Sequence, residues 1–329
     1  MNQTTPTRLL TRSDVASVLP MADCIAAIEA AFRAHADGRT LAPGVLGTHA
    51  PGGGFHVKTA GLTTTRGYFA AKINANFPSN PKERGLPTIQ GALILFDATD
   101  GRPLAIMDSA EITRIRTAAA SAVAAKYMSR TDSAVVTICG CGLQGRAHLE
   151  AMIAVRPVRE VHAWDIVPEA AARFAEEMAL SSGLPVAAVA TLSTGTLASD
   201  MIVTCTSSTR AFLTMADVRP GTFIAAVGAD SAHKQEIDPD ILKRSTVVAD
   251  ILEQCALIGD LQHAFNTGVM TRADVHAELA DVVAGRKPGR HRRDEITVFD
   301  STGTALEDVA AAALAYEKAT GTASIDLTH

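Results

Sequence analysis

The stretch "ICGCGLQGRAHLEAM", residues 138–152, has glycines spaced for phosphate chemistry: Gly140, Gly142 and Gly145 form G-x-G-x-x-G. The motif follows an apolar run and opens a segment whose Leu149, Met152 and Ile153 recur at helical spacing. In such a turn the first glycine permits a tight bend and the second lets the backbone approach a pyrophosphate. The third lets strand and helix pack closely, with helix N–H groups aimed at the anion. Asp165 closes the next apolar run, twenty residues after Gly145, where a carboxylate accepts bonds from adenosine ribose hydroxyls. That carboxylate would repel a 2′-phosphate, and Ile166 rather than an arginine follows it, so NAD(H) is favoured over NADP(H). Two more charges stand out. Lys72 lies inside an apolar run, where an ammonium is costly unless used or paired. Asp230 follows the run at 222–228, at the strand end where ligands of parallel sheets bind.

These residues need elements to hold them. Residues 20–38 read as a helix, with Ile25, Ile28 and Phe32 on one face. After it come short β-like runs, "GGFHVKTAGL", "YFAAKINANF" and "IQGALILFD", with "DATDGRP" as a hairpin before "LAIMDS". They predict a sheet-rich first domain. The Ala-rich helix at 111–130 then connects to a second rhythm of strand, turn and helix, with strands at 134–139, 160–164, 201–206, 222–228 and 245–250. Continuous β-branched runs alternating with helices predict a parallel sheet covered on both faces. A last strand, "ITVFDSTGTA", precedes the helix "LEDVAAAALAYEKA", which we expect to return to the first domain. The predicted fold class is α/β: a Rossmann-type doubly wound parallel sheet, residues 113–304, plus a discontinuous α+β domain for substrate and dimerisation, residues 1–112 and 305–329.

Composition agrees with a small-ligand protein. The 329 residues are 47% hydrophobic and 20% charged, enough for two ordinary cores. A net charge of -5 and 4% aromatics argue against nucleic acid or an anionic membrane as partner. No run of eighteen apolar residues occurs and the N-terminal stretch lacks an apolar signal core, so a cytoplasmic location is expected. Five cysteines, at 24, 139, 141, 205 and 255, suggest neither a disulfide framework nor a metal site. The basic run "GRKPGRHRRDE" reads as an exposed loop, or as a contact for an acidic partner.

Six ordered motifs, "GYFAAKINANFPSN", "GLPTIQGALILFD", "ITRIRTAAASAVAAKY", "ICGCGLQGRAHL", "AAVGADSAHKQEID" and "FDSTGTALEDVAAA", resemble the ornithine cyclodeaminase/mu-crystallin family from about residue 10 to about 320. The resemblance implies hydride transfer between a nicotinamide and the α-carbon of an amino acid. It implies that Arg116 holds the substrate carboxylate, for which a bidentate guanidinium suits. Lys72 matches the active-site lysine that protonates or polarises the imine, and Asp230 the proton carrier. Thr88, Thr117, Gln144 and Ser301 sit in motifs that the family places around the cofactor. A homodimer formed through the sheet-rich domain is implied too, with "VKTAGL" and "ALILFDA" as candidate interface strands.

Departures from the pattern bear on substrate. The segment "LAPGVLGTHAPGGG" lacks the arginine that many members carry there, and Lys58 stands where methionine is more usual. No Asp or Glu occurs at residues 40–73, so the distal ammonium of ornithine would find no partner from that segment. A substrate carboxylate would find His56 and Lys58, which point to the same face of a strand. Lys58 either replaces the lost arginine at the α-carboxylate or builds a second carboxylate site. The expected function is an NAD(H)-dependent oxidoreductase acting on CH–NH2 or C=N groups, reducing a small imino acid to an L-amino acid. Iminosuccinate leads, followed by alanine dehydrogenation and cyclic ketimine reduction. Ornithine cyclodeamination and a non-catalytic, mu-crystallin-like binding role are the alternatives.

Overall fold

A computed structural model describes residues 6–63 and 66–327. The chain divides into two compact units, residues 1–116 with 304–329 and residues 117–303. The joints thus lie at 116/117 and 303/304, where the sequence suggested 112/113 and 304/305.

In the first unit, strands β1 (Thr7–Leu10), β2 (Thr40–Ala50), β3 (Gly53–Thr63), β4 (Gly67–Asn76), β5 (Ile89–Asp97) and β6 (Pro103–Asp108) join a last strand, Ala323–Ile325. The order is last strand, β1, β6, β5, β4, β3, β2, and only β1 and β6 run parallel. Three short or long helices precede the joint: α1 (Arg12–Val18), α2 (Met21–Ala36) and the single turn α3 (Asn80–Glu83). Thr11 opens α1 with a capping box to Asp14, and α2 turns Cys24, Ile25, Ile28 and Phe32 inward. The last helix, Ala305–Lys318, packs against α2, β3 and β4, which explains why eleven of its residues are buried.

Sequence reasoning passed over β2 because it contains Pro43, Gly44 and Gly47. It is an edge strand, and the register shifts between Leu41 and Gly44, so the proline falls at an irregularity on an edge, where a missing N–H is tolerated. The interface expectation also changes. Ala60 and Leu62 of "VKTAGL" and Leu93 and Leu95 of "ALILFDA" are buried in the unit's own core. The exposed apolar side chains of this unit include instead Leu41, Val45 and Leu46 on β2, with Phe55 and Ile73 on β3 and β4.

The helix α4 (Ser109–Met128) leads into the second unit. There β7 (Val135–Cys139), α5 (Leu143–Val155), β8 (Glu160–Trp164), α6 (Pro168–Ser182) and β9 (Val186–Ala188) alternate. Strands β10 (Met201–Thr204), β11 (Thr209–Leu213), β12 (Phe223–Ala226), β13 (Gln235–Ile237), β14 (Thr246–Ala249), β15 (Ala277–Glu278) and β16 (Thr297–Asp300) follow. Eight of them form one parallel sheet in the order β15-β14-β16-β12-β10-β7-β8-β9, while β11 and β13 pair separately. Val136, Ile138, Ile202, Val203, Ile224, Val247 and Val298 are fully buried, as a doubly covered parallel sheet requires. The order reverses at β7, which puts the switch point beside the glycine turn. The basic run is not simply a loop in water. Arg290 turns inward to the carbonyls of Met128 and Glu295, at 2.7 and 2.6 Å, while the exposed Arg292 and Arg293 pair with Asp294 and Asp132. Among the described residues the cysteines are free thiols, no acid, His and Cys cluster could hold a metal, and no single helix is long and apolar enough to cross a membrane.

Candidate functional site

In the second unit, the glycines of the turn after β7 do three different things. Gly140 has φ +104°, and a Cβ there would meet the Cys205 carbonyl oxygen at 2.8 Å. A Cβ on Gly145 would lie 2.3 Å from the Gly140 oxygen, so helix α5 could not approach β7 with any larger residue. Around Gly142 there is open space within 4 Å, and as N-cap of α5 it brings no side chain to satisfy the first-turn N–H groups. The turn is thus tight where it must pack and bare where an anion would sit. Asp165 braces it: one carboxylate oxygen accepts from the Cys141 N–H at 2.8 Å and the other from Val167 N–H at 2.9 Å. Each oxygen retains a lone pair for a sugar hydroxyl. Beside it Ile166 is 86% exposed, an apolar side chain at the position where a cation would be needed for a 2′-phosphate.

The buried polar atoms of this unit that lack a hydrogen-bond partner among the described residues include Gln144 Oε1, in the first turn of α5, and Ser301 Oγ, just after β16. Both belong to motifs expected to surround the cofactor. Bare helix N–H groups, an open glycine and orphaned polar atoms fit a dinucleotide. Thr117 is buried on α4, where Ser121 Oγ reaches its carbonyl at 3.3 Å and His148 Nε2 at 3.1 Å. His148 Nδ1 donates to the Gln144 carbonyl at 2.8 Å, and burial pushes its imidazole down to about 4, so the ring is neutral and its Nε2 accepts. Asp230 lies past β12 as expected, but it is half exposed and paired with Lys234 at 2.6 Å. Its carboxylate is therefore engaged by a neighbour four residues on, in the loop before β13.

The first unit holds the other expected residues. Lys72, on β4, is only 3% exposed, and its Nζ donates to Asp308 at 2.7 Å and to Thr113 Oγ1 at 3.2 Å. Arg116 is equally buried: Nη1 donates to Glu307 at 2.7 Å and Nε pairs with Asp308 at 2.8 Å. Burial, then the nearby Arg116 charge, pull the Lys72 ammonium down to about 7, against the upward pull of Asp308. Burial would raise Asp308, but Arg116, Lys72 and Lys58 together hold it below the usual carboxylate range. Lys58 stands directly opposite Lys72 across the β3–β4 pair, and its charge is felt by both Lys72 and Asp308. His56 lies two residues away opposite Asn74, exposed to solvent. Thr88 precedes β5, its carbonyl accepting from Phe77 N–H at 2.8 Å.

Lys72, Arg116 and Lys58 are thus brought together, and Glu307, Asp308 and Thr113 are members that sequence reasoning missed. The signal was present. Glu307 completes a capping box with Thr304, and Asp308 is an acid beside an alanine run, as costly to bury as Lys72 was in its strand. Three cations, Lys72, Arg116 and Lys58, thus act on the carboxylates of the last helix, and the buried Lys72 ammonium is pulled down to about 7.

The family model described as "Ornithine cyclodeaminase/mu-crystallin family" matches residues 6–323. An archaeal alanine dehydrogenase dimer with bound NAD is 36% identical, with a TM-score of 0.93 over 98% of this chain and 100% of that one. The Δ1-pyrroline-2-carboxylate reductase of Thermococcus litoralis, in complex with NADH and L-proline, is 34% identical with a TM-score of 0.91, covering 95% and 97%. The iminosuccinate reductase of Paracoccus denitrificans, in complex with NAD+, is 31% identical with a TM-score of 0.88, covering 96% and 97%.

Proposed function

The chain belongs to the ornithine cyclodeaminase/mu-crystallin family, and from that premise we propose that it reduces a small imino acid to the L-amino acid with NADH. It is an NAD(H)-dependent oxidoreductase of C=N or CH–NH2 groups. One observation carries the reading: a buried ammonium poised near pH 7 and a buried guanidinium, both held by the acid pair of the last helix. When bound, the nicotinamide supplies the hydride. Arg116, fixed at two edges by Glu307 and Asp308, orients the substrate carboxylate. Lys72 protonates the imine nitrogen, and Asp308 keeps that ammonium available. Asp230 relays protons to and from bulk water, a role its exposed position suits. Asp165 takes the adenosine ribose, Gly140, Gly142 and Gly145 the pyrophosphate, and Thr88, Thr117, Gln144 and Ser301 the remainder of the cofactor.

The lead substrate is iminosuccinate, giving aspartate, because Lys58 adds a third cation to the cluster and residues 40–73 contain no acid. The same register supports a second reading: Lys58 directly faces Lys72, so it can serve the α-carboxylate in place of the lost arginine, with a monocarboxylate or cyclic imine as substrate. The acids present, Glu307 and Asp308, are committed to Arg116 and Lys72, which disfavours an ornithine side chain. A homodimer is formed through the exposed apolar side chains of β2, with Phe55 and Ile73, and the enzyme works in the cytoplasm. The test is NADH oxidation with oxaloacetate plus ammonia, pyruvate plus ammonia, and pyrroline-2-carboxylate, in wild type and Lys58→Met. Oxidation confined to the dicarboxylate and lost in Lys58→Met supports iminosuccinate. Equal loss on pyruvate assigns Lys58 to the α-carboxylate, and ammonia release from ornithine without net cofactor change overturns the reductase reading.

A further inference from the structure

The loops at the carboxyl edge of the eight-stranded sheet are tied together by buried carboxylates that the proposed chemistry does not use. Glu236, fully buried in β13, accepts at Oε1 from both the N–H and the hydroxyl of Thr206, each at 2.6 Å, and at Oε2 from the Gly228 N–H at 2.8 Å. Thr206 follows β10 and Gly228 follows β12, so one side chain spans the loops after two neighbouring strands. The first of these loops includes Cys205, whose carbonyl lies against Gly140 of the glycine turn. Asp260 in turn holds Glu236: its Oδ1 accepts the N–H groups of Glu236 and Ile237, at 2.8 and 3.0 Å. Asp300 accepts from the N–H groups of Asp260 and Leu261, at 3.3 and 2.9 Å, and the next residue is Ser301 with its orphaned hydroxyl.

The second oxygen of Asp260 is buried and reached by no donor among the described residues. The titratable groups facing Asp260 are Asp300 and Glu236, and those facing Asp300 include Asp250 and the Cys255 thiol, all of them acids. Ionised carboxylates packed this way repel one another in a medium that cannot screen them, and a proton on Asp260, whose second oxygen no donor stabilises as an anion, relieves the repulsion. Burial and the two neighbouring charges hold the Asp260 carboxyl well above its usual range, in keeping with that assignment.

We propose that Glu236 is the positioning residue of the cofactor site, fixing the loops after β10 and β12, and that a protonated Asp260 fixes Glu236. This rests on the reading of the second unit as the NAD(H) site. Two near-isosteric variants separate the roles. Glu236→Gln puts an NH2 against an N–H that the carboxylate accepted, whereas Asp260→Asn reproduces a protonated acid, accepting on one side and donating on the other. The full-length protein is titrated with NADH by fluorescence, and KM for NADH and kcat are measured, with thermal midpoints as the control for folding. In Glu236→Gln the NADH Kd and KM rise about tenfold or more, the loss expected for one buried charged hydrogen bond, while kcat at saturating NADH changes less than about threefold. In Asp260→Asn all three stay within about twofold of wild type. Unchanged NADH affinity in Glu236→Gln overturns the positioning role, and Asp260→Asn as damaging as Glu236→Gln shows Asp260 to be ionised and overturns its protonated role. If Glu236→Gln does not fold, Thr206→Val removes the hydroxyl bond to the same carboxylate, together with the acceptor of the Ser208 N–H, and an unchanged KM for NADH there overturns the proposal. Failure of the wild type to bind NADH at all overturns instead the cofactor reading on which the proposal stands.

Discussion

Asp308→Asn keeps the shape of a side chain that touches both Lys72 Nζ, at 2.7 Å, and Arg116 Nε, at 2.8 Å, and removes its charge. With its ammonium near 7, Lys72 is about half protonated at pH 7 in the wild type. An opposite charge in contact is worth about 1–3 pK units to an ionised group. Taking about two units, the protonated fraction at pH 7 falls from about half to about 1%, so kcat for imine reduction falls about fiftyfold. The sign fixes where activity returns: a lowered lysine pKa moves the active, protonated form to more acid solution, so the variant recovers towards wild type as pH falls to 5. The assay is kcat against pH from 5 to 9 at saturating imine and NADH. Stability follows the same sign. Lys72 titrates below its ordinary value of 10.5, so its burial opposes folding most below pH 7, and that penalty fades as pH rises from 7 to 10.5. A variant whose profile keeps the wild-type midpoint, with activity lowered uniformly at every pH, would refute the claim that Asp308 sets the protonation of Lys72.

The glycine turn separates packing from ligand access. Gly145→Ala forces a methyl to 2.3 Å from the Gly140 oxygen and lowers the thermal midpoint by the equivalent of about 1–3 kcal/mol. Gly142→Ala meets nothing within 4 Å, so its midpoint stays at wild type while NADH affinity drops, both read by thermal shift and fluorescence titration. Ile166→Arg, at an 86% exposed position beside Asp165, leaves NADH use nearly intact, and the double variant with Asp165→Ser shifts kcat/KM towards NADPH by tenfold or more, about 1.4 kcal/mol. Leu46→Glu, on the exposed edge strand, moves the protein to the monomer position in sedimentation velocity without changing its fold.

Elements that obey a simple period were legible from sequence. The parallel strands are continuous β-branched runs, and β8 begins and ends at the predicted residues 160 and 164. The glycine turn with Asp165 was legible too, because each of its residues has a steric or electrostatic duty that few other residues can perform. What escaped was set by tertiary context. β2 is written in Pro and Gly, and it is a strand because β3 offers it a partner, not because of its own propensity. β1 has four residues, too few for a period to show. Asp308 looks from sequence like an ordinary helix acid, and only the return of the last helix to β3 and β4 makes it the partner of Lys72. Glu236 sits in a motif of the family resemblance, yet nothing in its spacing announces that its carboxylate binds backbone thirty residues upstream.

The placement of Glu307 and Asp308 has a consequence for biosynthesis. A ribosome releases six of the seven strands of the first sheet, together with Lys72 and Arg116, long before it makes residues 305–318, and the seventh, Ala323–Ile325, follows that helix. During that interval the nascent sheet carries cations whose final counterions do not yet exist, and the face later covered by the last helix is bare. The second unit, residues 117–303, is translated whole in the meantime and has no part of itself still to come. Order of synthesis therefore makes the first unit the last to mature, and a chain halted before residue 305 has every strand of its parallel sheet but lacks the carboxylates that partner Lys72 and Arg116.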